Sequence, residues 1–315
     1  MIVILGWLLG PKVKFDPINP KVESLNMSLN ELDAFLADRE AKIKNLKPEN
    51  NAKIIWADSI RKTAYAIVYL HGFSASGMES YPVHLNFAKK YGCNIYLPRL
   101  AEHGFKDKEV FKNLSPEDLM ASAKEALAIG KLIGEKVILM SCSTGSTLSI
   151  PLAAENPEMV DALVMLSPNF ALADERAEML LGPWGKQIAK KIAGSEYRKL
   201  GLPEVCHKYW TMEYRIEGIF VVQDLIRQSM KPSYFEKINV PVFIGYYYKN
   251  EKEQDRVISV PALKKYFDLF PTDQKEAIAF PNVGAHVIAA ECQSKDFQSV
   301  QKAIETFAEA KIFRN

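Results

Sequence analysis

Lys136-Val137-Ile138-Leu139-Met140-Ser141-Cys142-Ser143-Thr144-Gly145 is an apolar run that breaks into small residues, and a helix-like stretch, 146–154, follows it. A strand that turns sharply into a helix around a serine has the pattern of a nucleophile elbow. Such a turn strains the serine backbone and lifts its hydroxyl to the carboxyl edge of a parallel sheet. Strand and helix nearly touch there, so the positions two before and two after the nucleophile must be small. Ser143 has Ser141 and Gly145 at those places, whereas Cys142 would have Met140 and Thr144, and Ser141 would have Leu139 and Ser143. The register falls on Ser143, although a thiol is intrinsically the better nucleophile. A loop serine in an ordinary strand–helix turn shows the same short pattern, so the rest of the chain has to decide.

A serine hydroxyl needs a base, and the base needs an orienting acid. In elbow enzymes the chain order is Ser, then Asp or Glu, then His. Of the histidines His71, His84, His103, His207 and His286, only the last two follow the elbow. His286 lies in a loop after the apolar strand 277–280 and before the helix-like stretch 297–312, where such a base belongs. His207 sits in a Lys- and Tyr-rich helical region and reads as a surface or interdomain histidine. The acid should end the strand before that. Val240 to Tyr248 is β-branched and aromatic, and Glu251, Glu253 and Asp255 follow it. Asp255 is favoured because Val257-Ile258 returns at once to apolar packing, which would pin the carboxylate at the sheet edge. Glu251 ranks second and Glu253 third.

Ala66-Ile67-Val68-Tyr69-Leu70 is a buried-type strand that runs into His71-Gly72-Phe73-Ser74. A backbone amide after such a strand, with the amide after the nucleophile, can bind a tetrahedral oxyanion. The donors would be the N–H groups of Phe73 and Thr144. His71 precedes the elbow and reads as a structural hydrogen-bonding residue.

These parts, in this order, resemble the serine hydrolases of the α/β-hydrolase superfamily, and within it the small carboxylesterases, monoglyceride lipases and lysophospholipases. Pro98-Arg99-Leu100-Ala101-Glu102-His103-Gly104 is similar to that family's Gly-His-Gly turn. The resemblance spans residues 64–312, with the middle poorly matched. Two departures are Ser141 and Glu102 at places where the family has Gly; His103 is expected to support its neighbouring loop. The resemblance implies acyl transfer by Ser143, Asp255 and His286, with no cofactor or metal. A thioesterase or acyltransferase would use the same triad, and a non-catalytic ligand-binding protein could stand on the same fold.

From residue 64 onward strands and helices alternate. Strands are expected at 66–70, 94–97, 136–141, 162–166, 241–248 and 276–280, with an early one at 53–57. Ser115-Pro116-Glu117-Asp118 starts a helix that Gly134 ends. Repeated βα units imply an α/β fold with a mostly parallel sheet and helices on both faces. Ligands in such sheets bind at the carboxyl ends of strands, where Phe73, Ser143, Asp255 and His286 all fall. The rhythm breaks after residue 171, where helix patterns dominate and no strand suits the sheet. The expected organisation is an N-terminal extension (1–63), a catalytic core (64–170 and 237–315) and an inserted helical lid (171–236). The lid is rich in large apolar residues, among them Met179, Leu180, Trp184, Tyr197 and Ile219, some of which should line an acyl pocket. The extension carries a helix, 28–46, with a capping box at Ser28 and Glu31.

The chain has 315 residues, 48% of them hydrophobic and 25% charged, with a net charge of +2. This is ordinary globular usage, and Lys and Arg form no patch that would suit nucleic acid. Cys93, Cys142, Cys206 and Cys292 are far apart without zinc spacing and read as free thiols. The expected partner is a small-molecule ester with an apolar acyl chain. Residues 1–10 are apolar but too short to cross a bilayer unless they are the tail of a longer anchor. The chain is therefore read as cytoplasmic, or as membrane-associated if that segment belongs to an anchor.

Overall fold

The runs around Val68 and Leu139 are apolar without alternation, as strands covered on both faces must be. They form β2 (Thr63–Leu70) and β4 (Gly134–Cys142), which pair in parallel at the centre of a seven-stranded sheet. From one edge the order is β1 (Lys53–Ile55), β3 (Asn94–Leu97), β2, β4, β5 (Ala162–Leu166), β8 (Val242–Tyr246) and β9 (Lys275–Ala279). β1 is antiparallel to β3, and the other pairs are parallel. The structure is a computed structural model and describes residues 9–314. Residues 1–8, which hold most of the apolar segment read as a possible anchor, lie outside the described residues. No helix among the described residues is long and apolar enough to cross a membrane.

The pleat divides the core. Ala66, Val68 and Leu70 point to one apolar layer, Ile67 and Tyr69 to the other. The first layer is closed by α3 (Pro116–Ile133) and α4 (Thr144–Glu155), the second by α2 (Val83–Lys90) and α9 (Phe297–Phe307). α3 begins where its sequence says: Ser115 and Asp118 cap it reciprocally, Pro116 takes the first turn, and Gly134 is its C-cap. In the extension, α1 (Leu29–Ala41) carries the expected capping box and buries Leu32 and Leu36. Its Glu40 is buried in an ion pair with Arg99, 2.8 Å away. The chain before it is strapped down by Asn156, which accepts from Val22 N–H at 2.9 Å and donates to the Pro20 carbonyl at 2.8 Å.

Between β5 and β8 the chain leaves the sheet. It forms a 3-10 turn (Glu175–Leu181), α5 (Gly185–Ala193), then α6 (Glu217–Ser229) and α7 (Pro232–Phe235). It also forms an antiparallel pair, β6 (Tyr197–Lys199) with β7 (Glu213–Arg215), where only helices were expected. Each of these strands is three residues long and charged, so neither produces a readable apolar pattern. α8 (Val260–Phe267) follows β8.

The cysteine reading needs correction. Cys206 and Cys292 form a disulfide, with their Cα atoms 5.6 Å apart, while Cys93 and Cys142 are free and buried. The partners are 86 residues apart in sequence and meet because the inserted segment folds back onto the loop after His286. Neither spacing nor composition announces that meeting. The bridge closes a long loop, so its loss should cost about 2–4 kcal/mol of stability. Thermal unfolding of the oxidised protein and of the Cys206→Ser/Cys292→Ser variant checks this. Equal unfolding temperatures would contradict it.

Candidate active site

At the end of β4 the backbone turns at Ser143 with φ 50° and ψ −116°, in the positive-φ region that a non-glycine residue rarely enters. The turn is enforced by packing. A β-carbon on Gly145 would stand 1.9 Å from the Leu70 carbonyl oxygen, so the first turn of α4 lies directly against the end of β2. Ser141 fits the other crowded place by sending its hydroxyl to Ser146 Oγ, 3.0 Å away. Ser143 N–H donates to the Leu166 carbonyl at 3.0 Å, which ties the turn to β5. The Ser143 hydroxyl is left facing the carboxyl edge of the sheet.

His286 Nε2 lies 3.0 Å from Ser143 Oγ, and His286 Nδ1 lies 2.7 Å from Asp255 Oδ2. The histidine loop is held from below by Ser167, whose hydroxyl donates to the His286 carbonyl at 2.6 Å. Asp255 is 4% exposed, and its other oxygen accepts the N–H groups of Val257 (2.8 Å) and Ile258 (3.3 Å). Its two rivals are in solvent: Glu251 takes the Tyr248 hydroxyl and Glu253 pairs with Lys249. Apolar packing at Ile258 thus selects the carboxylate.

Burial opposes the charge on both partners, yet each supports the other. Asp255 is held below the ordinary carboxyl value by His286 and by the two backbone donors. His286 is raised above the ordinary histidine value by Asp255 and, more weakly, by Glu79. Cys142 is fully buried, and burial together with Glu79 pushes its thiol well above the usual range. It is neither exposed nor a thiolate, which agrees with the register on Ser143.

The loop after β2 is pinned on both sides of Phe73. Gly72 N–H donates to Glu79 Oε2 at 2.7 Å, and Ser74 N–H donates to His103 Nε2 at 3.0 Å. A β-carbon on Gly72 would come within 3.2 Å of the Ser143 β-carbon, so this loop and the elbow are neighbours. Thr144 heads α4, where first-turn N–H groups have no partner within the helix. His71 and His103 are structural, as expected. His71 Nε2 accepts from Leu100 N–H at 3.2 Å, which leaves the proton on Nδ1 to donate to the Gly72 carbonyl at 2.9 Å. Burial pushes His71 down to about 4 and holds His103 well below the ordinary histidine value, so both rings stay neutral. His207 is exposed on the inserted segment. Glu79 is the site neighbour that the sequence did not reveal. It follows small residues in a loop, and only the fold shows that it is buried.

An apolar cavity of about 660 Å³ lies within the inserted segment, among Leu180, Ile188, Ile192, Tyr197, Ile216 and Ile219. Ser143, Asp255 and His286 do not line it. The helix that supplies its lining residue Ile219 also packs on the loop after β2: a β-carbon on Gly218 would stand 2.7 Å from the Phe73 ring.

No protein-family model and no curated protein matches the chain. Solved structures do. A structure from work on LipS and LipT, two metagenome-derived lipolytic enzymes, superposes with a TM-score of 0.65 at 14% identity, covering 84% of this chain and 99% of that one. The monoacylglycerol lipase of Paleococcus ferrophilus gives 0.58 at 14% identity, covering 82% and 98%. A soluble variant of the monoglyceride lipase of Saccharomyces cerevisiae, in complex with a substrate analog, gives 0.57 at 12% identity, covering 84% and 92%. The chain has the fold these proteins share, that of the α/β-hydrolases.

Gly145→Ala should destroy the elbow, because backbone cannot yield 1.9 Å to a methyl group. Overpacking of this kind costs about 1–3 kcal/mol, and a clash with backbone lies at the upper end. Denaturant unfolding measures it, and wild-type stability in the variant would refute the packing argument.

Proposed function

We propose that this α/β-hydrolase-fold chain is a serine hydrolase that cleaves carboxylic esters. The observation that carries the reading is the unbroken hydrogen-bond chain from Ser143 through His286 to Asp255, at 3.0 and 2.7 Å. In the proposed reaction His286 Nε2 takes the Ser143 proton as Oγ attacks the ester carbonyl. Asp255 accepts from Nδ1–H, fixes the tautomer and stabilises the imidazolium that forms. The N–H groups of Phe73 and Thr144 receive the oxyanion. His286 then protonates the leaving alcohol, and water repeats the sequence on the acyl-enzyme.

Residues 171–236 act as a lid in this reading, with residues 64–170 and 237–315 as the catalytic core and 1–63 as an extension. The apolar cavity in the lid and its contact through Gly218 with Phe73 favour a substrate with a medium or long acyl chain. The lipolytic names among the structural neighbours point the same way.

The decisive experiment is labelling of the purified protein with a fluorophosphonate, followed by peptide mass mapping. A single adduct on Ser143 is expected. An adduct on Ser141 or Cys142, or none, would refute the reading. Ser143→Ala should lower ester turnover about a millionfold. Decanoate esters should exceed acetate esters in kcat/KM by about tenfold or more, and equal rates would remove the acyl-chain part. The pH profile has a definite sign. The base must be neutral, and His286 is raised above the ordinary 6.5, so kcat/KM should fall with acid through a midpoint above that value.

A further inference from the structure

Glu79 is a buried carboxylate that the proposed acyl transfer leaves unused. It lies in the loop between β2 and α2 and is 2% exposed. Oε2 accepts the Gly72 N–H at 2.7 Å and the Tyr69 hydroxyl at 3.1 Å. A β-carbon on Gly72 would meet Glu79 Oε1 at 2.7 Å and the Ser143 β-carbon at 3.2 Å. Carboxylate and nucleophile thus flank the same glycine. No lysine or arginine pairs with Glu79 among the described residues, and an uncompensated buried charge is costly. The cation within its field is the protonated ring of His286.

We propose that Glu79 is a positioning residue of this site, an inference that rests on the serine-hydrolase reading above. Its carboxylate fixes the Gly72 peptide, and hence the oxyanion loop. It also acts with Asp255 as a second negative charge that stabilises the His286 imidazolium.

The two tasks are separable, since a neutral amide could accept the Gly72 N–H but could not stabilise a cation in the same way. The surrounding groups leave the field to few actors. Tyr69 on β2 and Cys142 on β4 face Glu79, and burial keeps both protonated. His84 on α2 lies 4.7 Å from the Tyr69 ring, and burial pushes it down to about 4. Asp255 faces His286 from its other side and stays charged. Burial pushes Glu79 up to about 6 against the pull of the Gly72 N–H and His286. Glu79 is therefore the carboxyl beside this site that burial raises toward the ordinary histidine value.

The test is to follow the His286 ring by NMR against pH in the full-length wild type and in Glu79→Gln, with fluorophosphonate labelling rates measured alongside. The His286 midpoint in Glu79→Gln should move to lower pH by about half a unit or more, and the acid limb of labelling should move with it. A folded Glu79→Gln with an unmoved midpoint overturns the proposal. Should that variant not fold, the wild-type Glu79 carboxyl carbon decides: it should show two inflections, its own and that of His286. A single inflection overturns the proposal. If wild-type Ser143 reacts with no reagent, the hydrolase reading fails, but the His286 titration still reports whether Glu79 acts on the ring.

Discussion

The close approach of α4 to β2 is the constraint on which the site depends. With 1.9 Å between the Leu70 oxygen and any β-carbon at position 145, the first turn of the helix can lie there only with glycine as its second residue. The same approach forces Ser143 into its positive-φ conformation. It also sets Thr144 as the first residue of the helix and brings the Gly72 peptide beside the nucleophile. Parallel pairing of β2 with β4 and β4 with β5 then fixes the neighbours of the turn, so Leu166 can hold Ser143 and Ser167 can hold the His286 loop. A single tight contact between backbone elements thereby arranges groups drawn from distant parts of the chain.

In the proposed reading, histidine serves two opposite purposes within this small volume, and environment separates them. His71 and His103 are buried with backbone partners and no carboxylate, so burial wins and they remain neutral struts. His286 is only partly buried, and carboxylate charge outweighs its burial. A struts-and-base division of this kind needs the strut rings to be unable to compete for protons at the working pH of the base.

Much of this arrangement was legible in the chain. The elbow could be read because steric demands at positions 141 and 145 leave one register. His286 could be read because few histidines exist and one falls after a late strand. Asp255 required a tertiary guess, that Ile258 would be buried, and this agrees with the observed burial. The Cys206–Cys292 bridge was invisible because it depends on where the inserted segment lands, a property of no local window. β6 and β7 were invisible because each is three residues long and carries charged side chains, so neither shows an apolar alternation. Glu79 was invisible because loop residues give no periodicity from which burial can be inferred.

The inserted segment supplies none of the three side chains in the proposed triad, and it leaves and rejoins the sheet at two strand positions. In the proposed reading, chemistry and reception of the substrate are written on separate stretches of the chain, and sequence drift in the insert could change what is admitted while the reacting groups stay as they are. The limit lies at the loop after β2, where Gly218 and the Tyr214 ring bear on Phe73 and Thr211 N–H donates to the Ser74 carbonyl at 2.7 Å. An insert transplanted from another protein of this fold would have to reproduce that bare spot, the Tyr214 ring and the Thr211 N–H together to leave the loop after β2 in place.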